Sequence, residues 1–162
     1  MDKLQKTIDV PGVANDFYAE HLNLLNNSFF KCTGKYLLDG VKEVNIKIAK
    51  QIYAAPFVLI SHGTQVDPIF NYGNRTALKL FAMQWHEFVK MPSRYSAEQP
   101  NREERARLLT EVQNKGFIDH YSGVRIAKNG HRFMIHNAIV WNVQDNNKLL
   151  GQAACFRDWQ DL

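Results

Sequence analysis

The chemistry open to this chain rests on a few polar residues set among apolar runs. Ser61-His62 and Asp67 stand close together, the residue types of a nucleophile, a general base and an orienting carboxylate. No G-x-S-x-G turn surrounds Ser61, and closeness in the chain does not align three side chains. The simpler reading of His62-Gly63-Thr64 and Asp67-Pro68 is a hydrogen-bonded turn, with Asp67 capping backbone N–H groups. No catalytic residue is assigned. An enzyme using His62 or Asp67 as the base of a proton transfer is the lesser alternative. His120 and His136 fall on neighbouring predicted strands, where His62 could converge with them, and His86 on a helical turn. Without an H-x-x-x-H or C-x-x-C spacing no metal site is expected, and these read as solvent-facing or hydrogen-bonded structural histidines. Cys32 and Cys155 lie far apart and read as reduced thiols. The arginines Arg75, Arg94, Arg102, Arg105 and Arg125 carry more binding potential, because a guanidinium is permanently charged and grips carboxylates bidentately. They either pair with Asp67, Glu98, Glu103 or Asp119, or capture an anionic ligand near residues 91–101.

The totals bound what those residues can serve. At 162 residues the chain is one domain, or one domain with a helical extension. No apolar run approaches the roughly 18 residues of a membrane span, so no membrane partner is expected. The N-terminal stretch lacks the apolar core of a signal peptide, and with two reduced thiols this predicts a cytoplasmic protein. The net charge of +4 is spread over the chain without a dense Lys/Arg block, so nucleic acid is not an expected partner.

Residues 1–14 show no periodicity and read as a flexible arm. An N-terminal helical extension covers 15–55. Its first helix is capped by Asn15 or Asp16 and lines up Phe17, Tyr18, His21, Leu22, Leu25 and Phe29, with Gly34 as its stop. That stripe packs against the main domain or forms a homodimer contact. A second helix opens at Asp39 with Val41, Val44, Ile48 and Ile52 inward, and Pro56 ends it. In 56–162, Phe57, Val58, Leu59 and Ile60 form a strand, 63–68 a turn, and Ile69, Phe70 and Tyr72 a second strand. Asn74 or Thr76 caps a helix bearing Ala77, Leu78, Leu80 and Phe81. A helical turn at 85–89 and a loop at Met91-Pro92-Ser93-Arg94 lead to a helix at 102–115, capped by Asn101, with Leu108, Leu109 and Val112 inward.

The remainder is β. One strand runs 117–126 with Gly123 as a bulge, a hairpin turns at Asn129-Gly130, and a long strand fills 131–143. There Phe133, Ile135, Ile139, Trp141 and Val143 point one way, and Met134, Ala138 and Val140 the other. A strand apolar on both faces is covered on both. The last strand is 149–156. The fold class is α+β: a five-stranded antiparallel sheet with helices on one face and the leading helix covering the other.

That order, β-β-α-α-α-β-β-β, resembles the PAS sensory fold, and specific strings are similar to the PAS-related MEKHLA family. They include His62-Gly63-Thr64, Asp67-Pro68-Ile69-Phe70-Asn71-Tyr72, Asn74-Arg75, Pro92-Ser93-Arg94, Ser96-Ala97-Glu98, Tyr121-Ser122-Gly123-Val124-Arg125, Trp141-Asn142 and Gly151-Gln152-Ala153-Ala154. The resemblance implies one of two settings. One is the C-terminal part of plant class III homeodomain–leucine zipper factors, where the domain is thought to control dimerisation. The other is a small free-standing protein of bacteria and algae. With no homeodomain or zipper heptads, and without the hexapeptide M-E-K-H-L-A, this chain looks like the free-standing type. A flavin-adduct photosensor needs a cysteine at the start of the central helix, and Gly73-Asn74-Arg75-Thr76-Ala77 has none. His86 is the only histidine on the helical side to compare with a haem ligand, so the cofactor is left unspecified. The expectation is a sensory or interaction module acting through homodimerisation by the N-terminal helix or through a protein partner, with a small molecule between sheet and helices. A ligand-binding protein without a signalling partner is the alternative. The residues expected at the ligand are Phe70, Tyr72, Arg75, Phe81, Trp85, Arg94, Tyr121, Arg125, Phe133 and Trp141. Their aromatic bulk can also simply fill the space.

Overall fold

The computed structural model describes residues 9–162, and of Gln99 and Pro100 the backbone only. Residues 1–8 of the expected arm lie outside the described residues. The rest of that arm is tied down. The Asn15 amide donates to the Val10 carbonyl (3.0 Å), and the Tyr18 hydroxyl donates to the Asp9 carbonyl (2.5 Å). A 3-10 turn follows at Val13–Tyr18, in which Asp16, Phe17 and Tyr18 take φ of 56°, 52° and 60°. A left-handed backbone costs a non-glycine residue about 1–2 kcal/mol. Ring packing holds it here, with Tyr18 against Trp85 at 5.2 Å and Phe17 against Tyr53 at 6.4 Å. Helix α1 therefore begins later than its cap residues suggested, at Ala19, and spans Ala19–Thr33. Gly34 ends it with φ 74° and an N–H donated to the Phe30 carbonyl.

The apolar stripe of α1 is spent within the chain. Leu22 and Leu25 are 0% exposed, and Phe29 meets Trp141 edge-on at 4.8 Å. The Trp141 indole N–H donates to the Leu25 carbonyl at 3.2 Å. Of the two uses expected of this stripe, a homodimer contact or packing against the main domain, these buried side chains take the packing. The polar side of α1 works as well. Asn26 and Asn23 bond the backbone of Leu37, Val41 and Val44, clamping the extended segment that follows. Helix α2 (Ile46–Tyr53) is capped by Asn45, whose side chain accepts from the Ile48 N–H at 2.9 Å, not by Asp39.

Strands β1 (Val58–His62) and β2 (Phe70–Gly73) form the first antiparallel pair. Asn74 then joins three elements. Its Oδ1 caps α3 (Arg75–Leu80) and accepts from Leu59, while its Nδ2 donates to the Ile52 and Phe57 carbonyls. The short α4 (Trp85–Phe88) leads through a 3-10 turn at Ser93–Ser96 into α5 (Gln99–Lys115). That helix starts after Glu98, earlier than the predicted Asn101 cap. β3 (Phe117–Ile126), β4 (Arg132–Asp145), β5 (Lys148–Phe156) and β6 (Asp158–Asp161) complete the chain. The sheet order is β2-β1-β5-β4-β3, all antiparallel, and β6 extends the β5 track along β4 beyond Arg157.

The face assignment of β4 needs correction. Asn137 takes φ 53°, and the β3–β4 register slips there, so that Gly123 faces Ile135 while Tyr121 faces Ala138. Such a bulge inverts the alternation beyond it. Phe133, Ile135, Ala138 and Val140 consequently share the face toward α3 and α5. Trp141 looks toward α1. α5 lays Leu108 and Val112 on Val140, so β4 is covered on both sides as its composition required.

Candidate functional site

Between the sheet and the helices lies a cavity of about 50 Å³. Its apolar walls come from Ile60, Phe70, Phe81, Leu108, Ile135 and Val140. Its polar wall is set by His62 of β1, Arg105 of α5, and Tyr121 and Arg125 of β3. Gly123 makes room for that last pair. A Cβ at 123 would stand 2.3 Å from the Tyr121 hydroxyl and 3.2 Å from Arg125 Nη1, so both side chains lie across the bare backbone.

Both arginines are buried, Arg105 at 8% and Arg125 at 7% exposure. Arg105 Nη2 donates to Ser93 Oγ at 2.6 Å. Arg125 Nη1 donates to the Val124 carbonyl at 2.8 Å, and its Nη2 to the Tyr121 hydroxyl at 3.0 Å. Among the described residues neither meets a carboxylate. Burial, reinforced by the charge of Arg125, pushes the Arg105 pKa down to about 10. His62 Nδ1 lies 2.9 Å from the Gly63 carbonyl. A carbonyl only accepts, so Nδ1 carries the hydrogen and Nε2 presents its lone pair. That Nε2 is buried without a hydrogen-bond partner among the described residues. Burial lowers the His62 pKa to about 4, against the opposing pull of the Gly63 hydrogen bond. The ring is therefore neutral at pH 7, a weak base and a ready acceptor.

The expected ligand residues divide into groups. Phe70, Phe81, Tyr121 and Arg125 line the cavity, and Phe133 joins them through an edge contact with Phe81 at 5.4 Å. Tyr72 and Trp85 belong instead to the aromatic cluster around Tyr18, on the side of the sheet facing α1. Trp141 packs on Phe29 there. Arg75 is exposed on α3 over the Tyr53 ring at 5.2 Å, beside a separate open groove. Arg94 is an exposed ion pair, with Nε 3.1 Å from both Asp67 oxygens. This occupies the carboxylate read as a turn cap or a base. His86, the residue compared with a haem ligand, is exposed on α4.

Two members of the polar wall were undervalued in the sequence. Arg105 stands at the start of an i, i+3, i+7 series with Leu108 and Val112, which places it on the inner face of α5. His62 lies on the same strand face as Ile60, with side chains alternating along β1. A flavin does not fit this site. The cavity falls far below the roughly 300 Å³ at which pockets for larger ligands begin, and no cysteine lines it.

A five-track antiparallel sheet with helices inserted between its second and third strands gives the chain a PAS-like fold. Similar solved structures include a PAS domain of a protein from Colwellia psychrerythraea, with 15% identity and a TM-score of 0.59, covering 72% of this chain and 94% of that one. An RNA-binding light-oxygen-voltage receptor aligns at 14% identity and TM-score 0.60, over 71% of this chain but 32% of its own length. A PAS domain in complex with ethanol, from a LuxR-family transcriptional regulator of Burkholderia thailandensis, aligns at 14% identity and TM-score 0.53, over 70% and 95%. Among curated proteins none matches the sequence. The model of the MEKHLA domain matches residues 19–161, and the chain belongs to that family. Among the described residues no helix is long and apolar enough to cross a membrane.

Proposed function

We propose that this chain is a small cytoplasmic sensory module that takes up a small molecule between its sheet and helices and passes its occupancy to a protein partner or a second copy. The observation that carries this reading is the cavity with two buried arginines and a partnerless His62 Nε2 on one wall. Buried polar groups are ordinarily satisfied, and a cavity that leaves them unmatched is suited to a ligand that matches them. At about 50 Å³ it admits a molecule of only a few heavy atoms without opening. The ethanol complex of a PAS domain supports a ligand of this size for the fold. The cavity roof includes α5 and the 3-10 turn at Ser93–Ser96, tied together by Arg105 and Ser93, so occupancy can reach the surface near the exposed Tyr95. Cys32 and Cys155, both free thiols, support a reducing compartment. Native mass spectrometry of the purified protein, with thermal-shift screening of a metabolite library, tests the reading. A retained small molecule or a saturable rise in Tm is expected. A protein that arrives empty and that no library compound stabilises would sink it.

A further inference from the structure

We propose that the cavity's ligand is a short organic carboxylate, held by Arg105 and Arg125 at its charged end and by the apolar walls along its body. This rests on the ligand-binding reading above and names the ligand's chemistry.

Charge placement carries the argument. Taking an arginine out of water is costly unless an anion comes with it, and buried arginines are almost always paired. Here two of them face one cavity, where the charge of Arg125 adds to the cost of burying Arg105. Among the described residues one acid reaches Arg105, Asp67, whose charge offsets part of that cost without touching the guanidinium. Asp67 holds Arg94, Glu98 holds Arg132 and Glu87 holds Lys128, all of them pairs that reach the surface. A guanidinium offers five N–H donors, and Arg105 uses one among the described residues, toward Ser93 Oγ. The Tyr121 hydroxyl accepts from Arg125, which leaves its own hydrogen free to be donated. These donors converge on a space that lacks an acceptor with negative charge.

The other walls set the rest of the molecule. Ile60, Phe81, Leu108, Ile135 and Val140 match a short aliphatic body and offer nothing to a fully charged oxyanion. His62 Nε2, an acceptor, adds a place for one hydroxyl or amide hydrogen on that body. Inorganic phosphate or sulfate would satisfy the arginines but would press charged oxygens against this apolar surface. A monocarboxylate satisfies both halves.

Titrating the full chain with acetate, propionate and butyrate, alongside the matched primary amides and inorganic phosphate, decides the matter. Binding is read by calorimetry and by the guanidinium N–H signals of Arg105 and Arg125 in NMR. Carboxylates should bind saturably and move both signals, with the amides at least about tenfold weaker, because a charge-assisted pair is lost. Arg105→Gln and Arg125→Gln should each weaken carboxylate binding about tenfold or more, while Arg107→Gln, exposed on the same helix, should leave it unchanged. Should either variant fail to fold, contacts between propionate protons and the Ile135 and Val140 methyl groups in the unaltered protein report occupancy directly. Amides binding as well as carboxylates would overturn the proposal while leaving a cavity ligand in place. Phosphate binding as tightly as the best carboxylate would overturn the organic ligand. No movement of any cavity signal with either series would overturn the carboxylate, and the broader reading would then rest on the library screen.

Discussion

Arg105 and His62 show what a single residue's neighbours do to it. Their types and helical or strand periods were legible, but the absence of a carboxylate beside Arg105 depends on where Asp67 and Glu98 turn, and both turn to the surface. Arg94 and Arg75 are chemically equal to Arg105 in the sequence, yet they stand in water, so their residue type alone could not separate them. His62 also sets the acid stability. Burial holds its pKa at about 4, below the roughly 6.5 of an unfolded histidine. Between those values the unfolded chain takes up a proton that the native chain refuses. Stability is therefore full above about pH 6.5 and is lost as the pH falls toward 4. His21, lowered to about 4 by its burial against Ser61 and Tyr72, acts in the same direction. The loss expected from His62 is at most roughly 3 kcal/mol. The part of the fall in urea-unfolding free energy between about pH 7 and about pH 4.5 that His62→Gln removes measures it, and a variant with the parent's full pH dependence would remove the buried neutral ring from the account.

At the scale of elements, strands and helices were readable from their periods, and the departures were backbone events that apolar patterning does not record. The Asn137 bulge is one. Counting in twos through residues 131–143 put Phe133 and Trp141 on a common face, and one extra residue separates them. The left-handed turn at Asp16–Tyr18 is another, since it moves the start of α1 past residues that look like caps. Asparagine tolerates positive φ better than most residues. Asn137→Val should therefore cost about 1–2 kcal/mol by strain at an exposed position, while Asn137→Gly should be neutral within about 0.5 kcal/mol. Thermal unfolding of the two variants checks this, and a valine variant as stable as the parent would mean that the bulge relaxes easily.

At the scale of the whole molecule, the fold class was plain from the order of the elements, because each had one apolar face and the long strand had two. The use of α1 was open between self-association and internal packing, which the same stripe serves equally well in sequence. Its side chains settle inside. Leu22→Glu with Leu25→Glu, substitutions that would dissociate a dimer held by this stripe, should instead unfold the chain, each change burying an unpaired charge. Circular dichroism with analytical ultracentrifugation distinguishes the outcomes, and a folded double variant of smaller mass would restore the dimer contact. The placement of α1 also changes what counts as a part. A boundary before Val58 respects the element order but cuts through a single core that runs from Tyr18 to Phe156. The sheet left behind would present Trp141 and Val143 to water, a sticky raft instead of a portable sensor. Whatever fuses, swaps or grafts this module has to carry the leading helix as its lid on the far side, or it carries only half of a protein.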